Sequence, residues 1–137
     1  MLRRDPAAAV PWFGLADADL VVARWIATNP LATAELLGLG CFHGQQAAEK
    51  AIKGVLAALD LPQPYSHDLQ ALLKPCVAVM SLDELVLTAA DALADYGVGP
   101  RYPGPRRAAS RALAERAVVD AELVVAWARA VVAESHV

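Results

Sequence analysis

The sequence predicts an all-α fold, an antiparallel up-and-down bundle of four to five helices. Apolar residues recur at helical spacing over long segments, and breaks rich in proline and glycine separate those segments. We find no alternation of strand and helix patterns and no internal repeat. At 137 residues the chain has the size of one domain. We therefore expect an irregular N-terminal arm over residues 1–14 and a single helical domain over residues 15–137.

The composition indicates a cytoplasmic protein. Hydrophobic residues make up 57% of the chain and aromatic residues only 6%, so its apolar content is mostly Ala, Val and Leu. No apolar run approaches the roughly 18–20 residues that cross a bilayer. Asp5, Pro6 and Pro11 interrupt the segment after the first arginines, which excludes a typical signal sequence. We expect no membrane association.

Charge and cysteine content restrict the possible classes of function further. The net charge of −3 argues against a strong general affinity for nucleic acid, although a local basic patch is compatible with it. Cys41 and Cys76 lack the spacing of metal ligands, and we expect two buried thiols. We predict no metal site and no cofactor.

The first helix is predicted to follow the N-terminal arm. Asp17 or Asp19 can cap it, and it runs to about Thr28. Asn29 and Pro30 then end it, because the residue before a proline disfavours helical geometry.

The second predicted helix is amphipathic and runs from about Thr33 or Glu35 to Leu59. At 100° per residue, one arc is apolar and the opposite arc is polar. The polar arc contains His43, Gln46, Glu49, Lys50 and Lys53. A row of small residues that would let another helix approach closely contains Ala47, Ala51, Gly54 and Ala58. Gln45 falls inside the apolar arc, so we expect it to hydrogen-bond to another helix or to a facing subunit.

A short helix is predicted from His67 to about Lys74. Ser66 is its expected N-cap, and Pro75 is expected to end it.

Two further helices complete the predicted bundle. Ser81 caps the fourth, whose apolar positions extend through Leu93. Residues 96–107 contain three Gly and three Pro, which excludes regular structure there. The last helix runs from about Ala108 or Ser110 to Ser135. It is apolar around most of its circumference, so we expect one side of it to pack against a second subunit.

Three motifs in order carry a family resemblance. Residues 42–53 read Phe-His-Gly-Gln-Gln-Ala-Ala-Glu-Lys-Ala-Ile-Lys, and the next two motifs are Ser66-His67-Asp68-Leu69 and Arg101-Tyr102-Pro103. The pattern resembles the small prokaryotic branch of the HEPN family, the higher eukaryotes and prokaryotes nucleotide-binding domain. The resemblance extends from about Asp19 to Ala130.

The resemblance implies a helical bundle, a homodimer and a link to nucleotides or RNA. Many members of the superfamily are metal-independent ribonucleases with an R-x(4–6)-H motif, and others are partners of minimal nucleotidyltransferases in toxin–antitoxin modules. This chain departs from the ribonuclease motif, because no histidine follows Arg101 at the required distance. Arg129 and His136 fit the spacing formally, but His136 is the penultimate residue.

The candidate phosphate-binding residues are Lys50, Lys53, His67, Arg101 and Tyr102. Lysine and arginine can bind phosphate, and tyrosine can stack on a base. His67 and Arg101 are also the candidate catalytic pair, because metal-free RNA cleavage needs a base and a positive charge.

Each candidate also has a purely structural interpretation. Glu49 and Lys53 can form an exposed i,i+4 ion pair, and the polar arc can be a solvated or dimer-facing surface. His67 can be a structural hydrogen-bonding group, or it can line an anion site at a helix N-terminus. Arg101 can pair with a carboxylate such as Asp95 while Tyr102 packs over the bundle end.

Three functions follow from these alternatives. The first is a HEPN homodimer that binds a nucleotide or RNA phosphate and works with a minimal nucleotidyltransferase in a toxin–antitoxin-like module. The second is a metal-independent endoribonuclease toxin. The third is a non-catalytic module for protein interaction.

Overall fold

The fold is a helical bundle in a computed structural model that describes residues 4–96 and 109–134. That part of the chain contains helices and no β-strand, which confirms the predicted fold class. A short 3-10 helix precedes five α-helices. Their bounds are Pro6–Ala9 for the 3-10 helix, then Val10–Thr28 (α1), Ala34–Ala58 (α2), Leu69–Val77 (α3), Glu84–Ala94 (α4) and Arg111–Glu134 (α5).

Helix α2 is the central element and packs against every other helix. Its apolar arc is fully buried, as the pattern predicted, and includes Ile52, Val55 and Leu56. Two glycines allow α1 to approach closely. A Cβ on Gly40 would lie 3.0 Å from the side chain of Ile26, and one on Gly54 would lie 2.7 Å from the ring of Phe13.

The N-terminal region is more regular than we expected, because residues 6–14 are helical. Asp5 accepts a hydrogen bond from the Ala7 N–H at 3.2 Å and caps the 3-10 helix. Pro11 lies in the first turn of α1, where a missing N–H loses no helical bond. The Asp5 N–H donates to the Ala58 carbonyl at 2.7 Å, which ties this segment to the end of α2.

The ends of α2 follow local rules closely. The Thr33 hydroxyl accepts the Leu36 N–H at 3.2 Å and caps the helix. At the other end Asp60 has a φ of 55°, and the Leu61 N–H donates to the Leu56 carbonyl at 2.9 Å. This is the Schellman arrangement, which ends a helix through one left-handed residue.

The caps of α3 and α4 correct two predictions. Asp68 caps α3 in place of Ser66, and Asp83 caps α4 in place of Ser81. In both cases a carboxylate two residues nearer the helix accepts the free N–H. Pro75 lies inside α3 and does not end it. Because it sits in the last turn, it removes one backbone bond near a terminus where the helix stops anyway.

Helix α5 buries most of its apolar surface within the chain. It packs against α1, α2 and α4, so Val124, Val125 and Val132 are buried. Over residues 111–134, Val119 is the one large hydrophobic residue that is exposed. The bundle therefore covers much of the apolar circumference of α5, and the packing of its remaining side against a second subunit stays a prediction. Arg111 at its start donates to the carbonyls of Ala27 and Asn29 at the end of α1.

The N-terminal helical stretch is unusually apolar. Within the described residues, Pro6–Thr28 is long and apolar enough, by length and composition, to span a bilayer. In the fold one side of this stretch packs against α2 and α5, where Phe13, Ala16 and Leu20 are buried.

Candidate functional site

Two buried carboxylates organise the polar arc of α2. Each carboxylate binds one histidine and one lysine. We call these sets the Asp19 group (Asp19, His43 and Lys50) and the Glu49 group (Glu49, Lys53 and His67). Helix α1 supplies Asp19, the loop before α3 supplies His67, and α2 supplies the rest.

In the Asp19 group, a buried carboxylate remains charged. His43 Nδ1 lies 2.9 Å from Oδ1 of Asp19, and Lys50 Nζ lies 2.5 Å from Oδ2. Burial alone would raise the pKa of Asp19. The hydrogen bonds and charges of His43 and Lys50 outweigh burial, so the pKa of Asp19 falls below its ordinary value.

In the Glu49 group, a buried carboxylate holds an exposed imidazole. The Glu49 side chain is 4% exposed, whereas that of His67 is 74% exposed. His67 Nδ1 lies 3.2 Å from both carboxylate oxygens of Glu49, and Lys53 Nζ lies 3.1 Å from Oε2. The i,i+4 pair of Glu49 and Lys53 therefore exists, but it is largely buried and not exposed as predicted.

The buried glutamine belongs to the same network. Gln45 is fully buried, and its Nε2 donates to the His67 carbonyl at 3.2 Å. Gln46 Nε2 donates to Oε1 of Gln45 at 2.7 Å. Gln45 thus finds its partners in its own helix and in the loop before α3. Gln45 therefore fixes the backbone of His67, and Glu49 holds the side chain of the same residue.

The hydrogen bond to Glu49 sets the chemistry of His67. An ionised carboxylate only accepts hydrogen bonds, so Nδ1 of His67 carries the proton. Nε2 is then the nitrogen with a free lone pair in the neutral ring. A carboxylate that fixes the tautomer and orientation of an imidazole in this way prepares it to accept a proton or to contact a ligand.

The structure brings together three of the five predicted site residues. Lys50, Lys53 and His67 lie along one surface of α2. Arg101 and Tyr102 lie outside the described residues. Both lysines are partnered by carboxylates, so the formal charges of Asp19, Glu49 and the two lysines sum to zero.

Sequence reasoning missed the role of Asp19, the contact of Glu49 with His67 and one aromatic contact. Asp19 was considered only as a helix cap, yet it lies inside α1 on the buried side, next to Leu20. An acidic residue at core spacing was the available signal. The ring centroid of Trp12 lies 5.7 Å from Lys53 Nζ, a cation–π contact that needs the packing of α1 on α2 and leaves no sequence signal.

The N-terminus of α3 is not an open anion site. His67 precedes the helix, which begins at Leu69. The Asp68 carboxylate accepts the Gln70 N–H at 3.1 Å, so the chain's own anion occupies this helix end. Of the two alternatives for His67, the geometry supports the hydrogen-bonded one.

The formal R-x6-H pair is only half described. Arg129 pairs with Asp17, and its guanidinium carbon lies 5.1 Å from the ring centroid of Phe13. These contacts give Arg129 a structural role between α5 and α1. His136 lies outside the described residues.

The cysteines are buried thiols, as predicted, and are not joined in a disulfide. Cys41 and Cys76 are 1% and 0% exposed. Burial raises the pKa of Cys76 to about 11, so it stays protonated. Within the described part of the chain, His, Cys, Asp and Glu side chains form no group of three that could hold a metal ion.

Comparisons with known proteins identify the family. The model of the HEPN domain matches residues 27–131. The crystal structure of TT1696 from Thermus thermophilus is similar with a TM-score of 0.75 and 27% identity, over 90% of this chain and 97% of that one. The archaeal HEPN homologue ST0689 has the same fold, with a TM-score of 0.71 and 23% identity over the same shares. A comparison with curated proteins gave no match. Because the HEPN model spans most of its length, the chain belongs to the HEPN domain family.

Proposed function

We propose that this HEPN-domain protein binds a phosphate of RNA or of a nucleotide at the surface formed by the Asp19 and Glu49 groups. His67 is the residue that contacts the ligand: its Nε2 donates to a phosphate oxygen when the ring is protonated and accepts from a ribose hydroxyl when the ring is neutral. The protein acts in the cytoplasm as a homodimer with a separately encoded minimal nucleotidyltransferase, in a toxin–antitoxin-like module. The observation that carries the proposal is the buried Glu49 that holds the exposed imidazole of His67.

The stability of the fold alone does not account for a buried carboxylate that holds an exposed imidazole. Burying a carboxylate costs several kcal/mol, which its hydrogen bonds and ion pair must offset. Four side chains point donors at Glu49, two of them at the long distances of 3.4 and 3.5 Å. A bundle that needed only stability could place an apolar residue there. The network instead fixes the orientation of one side chain that faces solvent.

The lysines retain donors for a ligand. An ammonium group has three N–H donors, and each lysine uses one of them on a carboxylate. Lys50 and Lys53 are partly exposed, so each can bridge its carboxylate and a bound phosphate. Because the four fixed charges cancel, we expect modest affinity and a shallow dependence on salt.

Direct titration of single-stranded RNA by fluorescence anisotropy tests this proposal. His67→Ala and Lys53→Ala should each weaken binding roughly tenfold or more, the effect of losing a hydrogen bond to a charged group. Lys74→Ala removes an exposed lysine from α3 and serves as the matched control. Equal affinity for wild type, His67→Ala and Lys53→Ala would contradict the proposal.

The Glu49–His67 pair also favours the second candidate, an endoribonuclease. Neutral Nε2 of His67 can accept the proton of a ribose 2′-hydroxyl as that oxygen attacks the adjacent phosphorus. The bond from phosphorus to the 5′-oxygen then breaks, the leaving 5′-oxygen takes up a proton from water, and the other product is a 2′,3′-cyclic phosphate. We expect RNA cleavage in the presence of EDTA that is lost in His67→Ala and in Arg101→Ala. RNA binding without RNA cleavage would exclude the endoribonuclease and support only the first candidate, phosphate binding.

Copurification tests the partnership. A minimal nucleotidyltransferase encoded beside this chain should copurify with it and relieve any toxicity of its expression. A neighbouring frame of another kind, or a nucleotidyltransferase that fails to bind, would contradict this part of the proposal.

A further inference from the structure

One face of α1 is apolar and open to solvent. At 100° per residue it occupies a single arc without a charged side chain. Its members are Val10, Gly14, Ala18, Val21 and Trp25. Trp25 is 70% exposed and Val10 is 66% exposed. Leu31, just beyond the helix end, is 85% exposed and extends the same apolar character.

Within the residues that the structure describes, nothing explains the glycine at position 14. Glycine inside a helix costs roughly 1 kcal/mol relative to alanine. Gly40 and Gly54 offset that cost because a Cβ there would collide with Ile26 or Phe13. A Cβ on Gly14 would meet no atom of residues 4–96 and 109–134 within 4 Å. Gly14 therefore leaves a notch in an exposed helix face, next to large apolar side chains.

The small and large residues of this face are arranged symmetrically. Gly14 and Trp25 lie at equal distances on either side of the midpoint between residues 19 and 20. Ala18 and Val21 lie symmetrically about that same midpoint. In an antiparallel copy of α1 related by a two-fold axis at this point, Trp25 would face Gly14 of the partner and Val21 would face Ala18. Each large side chain would meet a small one, as packing at native density requires.

The border of the face is complementary in charge. Asp17 and Arg24 lie on the same edge of the arc and are about half exposed. Each already has an ion pair with α5, Asp17 with Arg129 and Arg24 with Glu122. An antiparallel copy presents the two residues in reverse order. Asp17 of one copy therefore lies within about two residues' rise of Arg24 on the other, about 3 Å along the axis.

We propose that this face of α1 is the two-fold interface between two copies of the chain. The two α1 helices pack antiparallel, and each Trp25 fills the partner's notch at Gly14. The inference specifies the surface behind the homodimer of the proposed function and needs no ligand. It also places the subunit contact on α1 and not on α5, whose apolar surface is largely buried within the bundle.

Sedimentation velocity of the full chain over a range of concentrations tests the interface. Wild type should form dimers, and Gly14→Glu should be monomeric because it places two charges inside the interface. The open space at Gly14 leaves the monomer fold intact, which circular dichroism can verify. Ala92→Glu is the matched control, since Ala92 is exposed on α4, a helix that does not contact α1. It should remain dimeric.

Cysteine cross-linking tests the register. The double variant Gly14→Cys/Trp25→Cys should give disulfide-linked dimers on mild oxidation. Neither single variant should, because identical residues would lie about 16 Å apart along the axis. The same separation prevents a bridge within one chain.

Two results would overturn the proposal. One is a wild-type chain that stays monomeric at high concentration, including one that binds lipid vesicles through α1 without pairing. The other is a dimer that persists in Gly14→Glu. The RNA titration of Gly14→Glu is a separate readout, so loss of the dimer and loss of the phosphate site can be told apart.

Discussion

Asp19 and Glu49 show how single residues combine stability with a candidate function. Both carboxylates are buried, and both remain satisfied because each contacts one lysine and one histidine. Helical periodicity was sufficient to place Lys50 and Lys53 on one surface. It could not show that Glu49 is buried, because that depends on how the loop carrying His67 folds over α2.

The lowered pKa of Asp19 predicts a pH-dependent contribution to stability. An acid whose pKa is lower in the folded than in the unfolded state stabilises the fold above its unfolded-state pKa, which is about 3.9 for aspartate. This stabilisation is lost as the pH falls through the folded-state pKa. Asp19→Asn should lower the free energy of unfolding by about 1–3 kcal/mol at pH 7, because Lys50 and His43 lose their partner.

Urea denaturation at neutral pH and near pH 2 measures this effect. The difference between wild type and Asp19→Asn should shrink at the lower pH. Asp17→Asn is the control, because its ion pair with Arg129 is exposed and should be worth less than about 1 kcal/mol. An equal loss in both variants, or a loss independent of pH, would contradict the interpretation.

Asp120 should behave in the opposite way. Burial raises its pKa, and the exposed Arg116 at 3.5 Å offsets this only in part. A raised acid pKa means that the ionised form destabilises the fold above the folded pKa. Asp120→Asn should therefore raise the melting temperature at pH 7, and the gain should disappear as the pH falls below the usual range of aspartate. A lower melting temperature at pH 7 would show that Asp120 makes a stabilising contact.

At the scale of elements, local patterns predicted helix bodies better than helix starts. The bounds of α2 agree within one or two residues, because Thr33 and the segment after Leu59 carry strong local signals. The start of α1 was wrong because Pro11 is compatible with a first turn. Capping of α3 by Asp68 could not be separated from capping by Ser66, since both residue types are good caps.

The close approach of α1 to α2 predicts opposite effects at two glycines. Gly54→Ala should destabilise the fold by roughly 1–3 kcal/mol, because the added Cβ would overlap the buried ring of Phe13. Gly14→Ala should stabilise the monomer by up to about 1 kcal/mol through helix propensity. Chemical denaturation at a concentration where the chain is monomeric compares the two. Similar changes in both variants would mean that α1 does not pack on Gly54 as described.

At the scale of the whole molecule, the two long outer helices α1 and α5 differ in how much of their apolar surface the chain buries. Helix α5 is apolar in sequence but packs on α1, α2 and α4, so much of its apolar surface is buried within the bundle. Helix α1 looked unremarkable in sequence yet leaves an apolar face open. Periodicity within one helix cannot tell which neighbours will cover it, and this explains why the sequence pointed to α5 for a subunit contact.

The candidate site is likewise a property of the assembled molecule. Helix α1, helix α2 and the loop before α3 each contribute one part of it, and Arg101 and Tyr102 stay predictions. The HEPN family match and the fold of TT1696 support the framework but do not identify a ligand.

Nitrogen NMR of the histidine side chains, recorded without and with single-stranded RNA, tests the central claim most directly. The spectrum of free protein should show His67 with its proton on Nδ1, and RNA should shift the Nε2 resonance of His67 in wild type. In Glu49→Gln the imidazole should lose this preference, and RNA should bind more weakly. An Nε2 resonance of His67 that RNA leaves unmoved, while the protein binds that RNA, would contradict the account.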